Sequence, residues 1–257
     1  MGKRKETAGI YRQELLAPGI FSMTIETDMA KEAKAGQFLG IYTGDPSRLL
    51  ARPISICDVD PKKGLIRMVY RVSGEGTREL SEYCAGKKLD VLGVLGNGYD
   101  ISVTEGKRTI IIGGGIGIPP MLLAAKSVPG EKEIVLGYAD ANTFLKDEFD
   151  RQGRVHIATM DGSIGTKGTV IDAMKTEGIK GDVIFACGPM PMLRAIKEYA
   201  AEHHMKAYIS LEERMACGIG ACLGCVCKTV KKDAHTHVNN TRICTEGPVF
   251  DAEEVEI

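Results

Sequence analysis

Five of the eight cysteines fall within residues 217–244, where their spacing could hold a metal centre. Cys217, Cys222 and Cys225 are followed by Cys244, which is the C-x4-C-x2-C…C spacing of plant-type 2Fe–2S proteins. The residues between the first three are mostly glycine and alanine, so backbone N–H groups can approach the sulfides of a cluster. The fifth cysteine, Cys227, lies two residues after Cys225, and we expect it near the cluster without binding it.

A structural zinc site is the alternative for the same cysteines. Zinc sites favour two C-x2-C pairs or mixed Cys and His ligands, and His235 and His237 lie in the loop before Cys244. That loop is polar, with lysines and an aspartate beside the histidines. Because 18 residues separate Cys225 from Cys244, the fourth cluster ligand is the one that spacing defines least.

A glycine run between a predicted strand and a predicted helix is suited to binding phosphate. Residues 109–112 form a continuous apolar strand, and Pro119 suits the first turn of the helix. Glycines between the two let backbone N–H groups approach a phosphate at the helix N-terminus. These glycines are Gly113, Gly114, Gly115 and Gly117. Ile118 stands where the dinucleotide fingerprint has its third glycine, so a plain glycine-rich turn is the alternative.

A second tight turn follows the apolar strand at residues 182–186. It consists of Cys187, Gly188, Pro189 and Met190. Ligands bind at the carboxyl ends of the strands of a parallel sheet, so we expect this turn and the glycine run to face the same nucleotide.

Two segments nearer the N-terminus could also hold phosphate. Arg52 could pair with a phosphate, and the step from Gly76 to Thr77 could open a helix whose amides bind a pyrophosphate. The alternative is that these residues have only a structural role. An arginine at the start of a strand and a threonine that caps a helix would give the same sequence pattern without any phosphate.

Three regions position these motifs. Residues 1–102 contain short alternating strands, such as 66–72, and one helix at 77–84, which predicts an antiparallel β-barrel. Residues 103–210 alternate continuously apolar strands with helices, which predicts an α/β domain with a parallel sheet. Residues 211–257 show little periodicity and hold most of the cysteines, which predicts a small third domain.

Composition excludes some classes of function. Lys and Arg number 33 against 34 Asp and Glu, so no bulk electrostatic field favours binding to nucleic acid or to an anionic membrane. The longest uncharged stretch, residues 109–125, has 17 residues with four glycines and two prolines, and is too short to span a bilayer. The basic start has no apolar segment behind it, so we expect a cytoplasmic protein.

Taken in order, residues 52–55, 76–77, 113–117 and 187–190 resemble the ferredoxin–NADP reductase superfamily over almost the whole chain. With the cysteine motif after the nucleotide domain, the sequence is similar to one branch, the electron-transfer subunits of dihydroorotate dehydrogenase B. The resemblance implies an FAD-binding barrel, an NAD-binding α/β domain and a 2Fe–2S domain. It also implies that the FAD is lined by Arg52, Pro53, Ile54, Ser55, Val69, Tyr70, Arg71, Gly76 and Thr77.

One position departs from the superfamily. Ile54 stands where its members often have a tyrosine that stacks on the flavin. The residue that stacks on the flavin is therefore not assigned from the sequence.

The implied cofactors indicate electron transfer. Nicotinamide exchanges a hydride, a cluster of this type exchanges one electron, and a flavin does both, so FAD would convert between them and we expect no acid–base residue. The resemblance implies a partner, an FMN-containing dihydroorotate dehydrogenase catalytic subunit of pyrimidine biosynthesis, with two copies of each chain. Electrons would pass from its FMN through the cluster and the FAD to NAD+.

Two other functions fit the same motifs. One is the electron-transfer subunit of a related NAD(P)H–ferredoxin oxidoreductase or other redox complex, and the other is a zinc-stapled nucleotide-binding regulator. The choice between NAD and NADP is also open. Asp140 could bond a ribose 2′-hydroxyl and disfavour a 2′-phosphate, or it could be a solvated loop acid.

Overall fold

In the computed structural model, which describes residues 3–232 and 237–257, the N-terminal part of the chain forms a closed antiparallel barrel. Its strands are β1 (Arg4–Ala17), β2 (Ile20–Glu26), β3 (Phe38–Ile41), β4 (Arg52–Asp60), β5 (Leu65–Arg71) and β6 (Lys88–Leu95). Around the barrel they follow the order β1-β2-β5-β4-β3-β6, and β1 closes it by pairing with β6. The predicted antiparallel barrel is confirmed.

Alternating side chains build the interior of the barrel. In β6, Leu89, Val91, Gly93 and Leu95 are buried, and the three residues between them are half-buried. One helix, α1 (Glu75–Ser81), follows β5 and begins two residues before the predicted helix. It ends three residues earlier than predicted, because the backbone N–H of Glu82 already closes the last turn on Glu79 and Leu80.

The second part of the chain forms a seven-stranded sheet of order β10-β9-β8-β7-β11-β12-β15. Its strands are β7 (Thr109–Gly114), β8 (Lys132–Tyr138), β9 (Arg154–Thr159), β10 (Thr166–Lys167), β11 (Val183–Cys187), β12 (Lys206–Ser210) and β15 (Val249–Asp251). All neighbours are parallel except β15, which pairs antiparallel with β12. The predicted parallel sheet is confirmed, with one antiparallel edge strand supplied by the C-terminal region.

Helices cover this sheet, namely α2 (Ile118–Ser127), α3 (Lys146–Phe149), α4 (Val170–Thr176) and α5 (Met190–Glu202). Among these helices, α3 is a single turn, entered through Leu145 in a left-handed conformation (φ 67°). Short 3-10 helices occur at Asp28–Lys31, Ile101–Thr104 and Gly115–Gly117. Among residues 3–232 and 237–257, no helix is long and apolar enough to cross a membrane.

The C-terminal region packs against the sheet rather than standing apart. Its hairpin joins β13 (Val226–Lys228) to β14 (Asn240–Arg242). The buried cysteines Cys225 and Cys244 share one apolar core with Phe250 of β15 and with residues under α4 and α5. The domain boundaries at 102/103 and 210/211 remain predictions.

Candidate functional site

A cavity of about 880 Å³ opens between the barrel, the nucleotide sheet and the segment that precedes the cysteines. Its volume suits a large organic cofactor. The residues predicted from the sequence that line it are Arg52, Pro53, Ile54, Ser55, Val69, Tyr70, Arg71 and Thr77. The barrel brings them together because β4 and β5 are antiparallel neighbours and α1 follows β5 directly.

Arg52 is held over the start of α1 by close packing with Gly76. A Cβ atom added at Gly76 would lie 2.1 Å from Arg52 Nε, so only glycine leaves room for the guanidinium there. Arg52 Nη1 donates to the carbonyl oxygen of Leu50 at 2.5 Å, which fixes one side of the group. The guanidinium is thereby placed at the wall of the cavity.

The first turn of α1 offers backbone donors. Its first helical hydrogen bond runs from Arg78 N to Gly74 O, so the N–H groups of Gly76 and Thr77 precede the helical ladder. The Thr77 hydroxyl itself is used locally, since it accepts from Gly74 N at 3.1 Å and donates to Gly74 O at 3.0 Å. Its amide, rather than its side chain, is the group left for an anion.

Tyr70 forms a rigid part of the cavity wall. It is 3% exposed, its hydroxyl donates to Gln13 Oε1 at 3.2 Å, and its ring stacks on Phe21 with centroids 6.0 Å apart. Burial raises the pKa of Tyr70 above its ordinary value. Ile54 also lines the cavity and supplies an aliphatic surface at the position where the superfamily often has a tyrosine ring.

The glycine run and the turn after β11 lie side by side at the carboxyl ends of adjacent strands. Gly113 of β7 pairs with Cys187 of β11. A Cβ atom at Gly117 would lie 2.4 Å from the carbonyl oxygen of Cys187 and 2.5 Å from Gly188 N. Gly117 therefore lets the N-terminus of α2 contact this turn directly.

The two halves of this predicted nucleotide site differ in exposure. Gly113 and Gly114 are buried, while Gly115 is half-buried with φ 54°. In the turn, Pro189 is exposed and Met190 begins α5. The glycine run contributes Ile116 to the lining of the cavity, whereas its glycines and the turn after β11 are not part of that lining.

Residues 210–215 close the cavity, a role that was not predicted for them from the sequence. The pKa of Glu212 is raised by burial, against the opposing charge of Arg71. Glu212 has exposed surface because its side chain faces the cavity lumen. Burial also raises the pKa of Cys187, and the Glu212 charge adds to that effect. Glu212 thus lies between the predicted flavin residues and the predicted nucleotide turn. The signal available in the sequence was the pair of acidic residues Glu212 and Glu213, a few residues before Cys217.

The four predicted cluster ligands lie in two pairs. Cys222 lowers the pKa of Cys217, and Cys225 raises the pKa of Cys244, so the members of each pair lie close together. Cys225 and Cys244 are buried at 3% and 1% exposure, while Cys222 is exposed. Within the described residues, no three His, Cys, Asp or Glu side chains converge on one point. Two pairs of thiols are what a cluster with two irons requires.

Backbone donors favour thiolates in the loop. Ile219 N and Ala221 N point to Cys217 Sγ at 3.5 and 3.3 Å, and Gly224 N points to Cys222 Sγ at 3.4 Å. Burial acts to raise the pKa of Cys217, but the N–H groups of Ile219 and Ala221 together with Cys222 lower it to about 6. The thiolate is the form that binds iron, so the donor set fits the predicted cluster.

The shape of the loop also fits a cluster. Gly220 has φ 89°, and a Cβ atom there would lie 2.8 Å from Thr245 Cγ2.

Cys227 lies in β13 opposite Thr241, and burial raises its pKa to about 11. His235, named for the zinc alternative, lies outside the described residues, and His237 has φ 57°.

Comparison with known proteins decides the family. The chain is 42% identical over 253 residues to the dihydroorotate dehydrogenase B (NAD+) electron transfer subunit of Fusobacterium nucleatum, covering 94% of this chain and 95% of that relative. It is 41% identical to the Streptococcus mutans subunit of the same name, covering 98% of both. The chain belongs to the family of dihydroorotate dehydrogenase B electron transfer subunits. This confirms the resemblance predicted from the sequence.

Two further matches agree with this family. Residues 212–256 match the iron–sulfur cluster binding domain of dihydroorotate dehydrogenase B, a segment that contains all four paired cysteines. Among solved structures, the NADH-dependent reduced ferredoxin–NADP oxidoreductase is 28% identical with a TM-score of 0.85, covering 97% of this chain and 89% of that one. A ferredoxin–NADP+ reductase from Neisseria gonorrhoeae, 13% identical with a TM-score of 0.63 over 77% of this chain and 91% of its own, shares the fold.

Proposed function

We propose that this chain passes electrons from a dihydroorotate-oxidising partner subunit that contains FMN to NAD+, with a 2Fe–2S cluster and FAD as its carriers. It serves as an oxidoreductase subunit in pyrimidine biosynthesis. The observation that carries this proposal is the shared cavity. Barrel residues, Ile116 of the glycine run and the segment leading to Cys217 all line it, so the three sites adjoin one another.

Each cofactor has its own set of residues in this proposal. Arg52 and the first-turn amides of α1 hold the FAD phosphates, while residues 53–55 and 69–71 line its rings. The dinucleotide binds to the loop of residues 113–117 and the turn of residues 187–190. Cys217, Cys222, Cys225 and Cys244 hold the cluster, and Cys227 does not. When bound, the flavin supplies the exchange between hydride and single-electron chemistry.

The chain itself orients the groups and excludes water. No described side chain needs to act as an acid or base, because a hydride and electrons are transferred. The buried thiol of Cys187 stays protonated through burial and through the Glu212 charge, so it presents a neutral surface to the nucleotide turn. Tyr70 and Val69 close the inner wall of the cavity against water.

The test is reconstitution with a partner. The holoprotein alone is expected to reduce artificial acceptors with NADH but not to oxidise dihydroorotate. Coexpressed with an FMN-containing dihydroorotate dehydrogenase catalytic subunit, it should copurify, with two copies of each chain, and reduce NAD+ with dihydroorotate. Absence of association, or of this activity in the purified complex, contradicts the proposal.

A related ferredoxin-linked reductase is the second candidate. It is favoured by the 28% identity and near-complete coverage of the NADH-dependent reduced ferredoxin–NADP oxidoreductase. Brisk NAD(P)H-dependent reduction of ferredoxin, without association with a dihydroorotate dehydrogenase, would select it. The relatives with about 40% identity favour the first candidate.

We also propose NAD rather than NADP as the acceptor, and a cytoplasmic location. Asp140 follows the end of β8, next to the glycine run, and its carboxylate accepts hydrogen bonds from Asn142 N and Nδ2 at 2.8 and 2.7 Å. A carboxylate held there disfavours a 2′-phosphate. Asp140→Asn should raise the kcat/KM for NADPH relative to NADH, while an unchanged ratio contradicts this role.

A further inference from the structure

A second cavity, of about 690 Å³, lies at the opposite edge of the nucleotide sheet. Its lining comes from the residues where β7, β8 and β9 begin and from the loops before them. Thr109 begins β7 and Gly113 lies four residues further along, which is about 13 Å at about 3.3 Å per residue. The second cavity is therefore separate from the glycine run and from the flavin cavity.

Unpaired positive charge dominates the lining. Of its five cationic residues, Arg108 pairs with Asp182, and the other four have no carboxylate within ion-pair distance among residues 3–232 and 237–257. These four are Lys132, Arg151, Arg154 and Lys180.

The carboxylates in the lining do not balance these four cations. Asp150 is paired with Lys146, and Glu133 contacts His156 at 2.6 Å. Glu131 is the remaining acidic residue of the lining. Four unpaired cations against the two carboxylates of Glu131 and Glu133 leave an excess of positive charge in a concave site, which favours an anion.

Lys132 is half-buried in the lining, whereas Arg151, Arg154 and Lys180 are exposed. Lys132 lies opposite Thr109 in the sheet register, and burial lowers the Lys132 pKa. An anion beside Lys132 would offset this effect, because a nearby negative charge favours the charged form of the lysine.

The cations are spread over adjacent strands and loops rather than gathered at one point. Arg154 of β9 lies opposite Glu133 of β8, so its side chain leaves the face of the sheet opposite to that of Lys132, with neighbouring strands about 4.8 Å apart. Arg151 and Lys180 come from the loops before β9 and β11. Such a spread matches two linked phosphates better than a single small anion, because each phosphate can take its own cations.

We propose that this cavity binds a diphosphate-bearing metabolite, through Lys132, Arg154, Arg151 and Lys180, at a site distinct from both nucleotide sites of the chain. The volume accommodates a group as large as a nucleotide diphosphate. This inference does not rest on the proposed electron-transfer function.

Calorimetric titration of the holoprotein with inorganic pyrophosphate tests the proposal, with NAD+ present at saturation to occupy the dinucleotide site. We expect the wild type to bind pyrophosphate more tightly than inorganic phosphate. The double variant Lys132→Gln/Arg154→Gln should bind it about 10- to 100-fold more weakly, since two charge-assisted contacts are lost.

The matched control is Lys88→Gln, which removes an exposed cation from β6 of the barrel. It should bind pyrophosphate as the wild type does. No binding by the wild type, or equal binding by the wild type and the double variant, would overturn the proposal. Equal affinity for phosphate and pyrophosphate would overturn the assignment to a diphosphate.

Discussion

Arg67 of the barrel and Glu148 of the nucleotide domain form an ion pair across the domain interface, in which one guanidinium nitrogen contacts both carboxylate oxygens. Arg67 Nη1 lies 2.8 Å from both carboxylate oxygens of Glu148, and Arg67 Nε donates to Ser22 Oγ at 2.9 Å. A second pair, Lys126 with Asp58 at 2.5 Å, joins α2 to β4 nearby. These pairs fix how the flavin-side and nucleotide-side walls of the large cavity face each other.

Breaking the Arg67–Glu148 pair should lower stability. The two side chains are 18% and 33% exposed, so Glu148→Gln should cost about 1–3 kcal/mol, between the values for exposed and buried pairs. For a chain of this size that is a drop of about 2–10 °C in Tm, measured by thermal unfolding of the holoprotein. Asp150→Asn, which breaks the more exposed pair with Lys146, is the control and should change Tm by less. Equal decreases in Tm for the two variants would contradict a stabilising role of the Arg67–Glu148 pair.

The cysteine assignment predicts distinct spectra for two serine variants. Cys222→Ser should remove the cluster, because one iron loses a ligand of its pair. Cys227→Ser should leave the visible absorbance and the iron content nearly unchanged, since that residue lies in β13 opposite Thr241. Loss of iron in Cys227→Ser together with its retention in Cys244→Ser would show that the fourth ligand is Cys227.

Arg52→Ala should weaken FAD retention about 10- to 100-fold, the value of one charge-assisted hydrogen bond to phosphate of about 1.5–3 kcal/mol. Flavin occupancy after dialysis, read from visible absorbance against protein concentration, measures the effect. Arg78→Ala removes an exposed arginine from α1, the helix over which Arg52 lies, and serves as the control. Equal flavin occupancy in both variants would leave Arg52 with a structural role alone.

Gly117→Ala should separate α2 from the turn after β11. The added methyl group would lie 2.4 Å from the Cys187 carbonyl oxygen, and backbone atoms cannot move aside as a flexible side chain can. We expect a loss of about 1–3 kcal/mol in stability and a raised KM for NADH. Gly9→Ala is the control, because the nearest atom to its Cβ would be 4.0 Å away. A wild-type KM in Gly117→Ala would contradict the role of this contact in nucleotide binding.

Spacing and periodicity within short segments determined much of this protein. The cysteine spacing and the glycine run are local patterns, as is the alternation in β5, and each depends only on the geometry of a few consecutive residues. These patterns therefore predicted the barrel and the parallel sheet, while the resemblance to the ferredoxin–NADP reductase superfamily predicted the residues that meet at the flavin cavity. β6 has an equally regular alternation and could have been recognised, whereas β1 mixes buried and exposed positions along its 14 residues.

Tertiary structure alone decided which distant residues meet. Arg67 and Glu148 are 81 positions apart, and Glu212 faces Arg71 and Cys187 only because the segment after β12 folds back over the cavity. The edge strand β15 likewise joins the sheet through register with β12. Such contacts depend on how whole strands and helices pack against one another. The types and spacing of neighbouring residues in the sequence do not show which distant residue a side chain will contact.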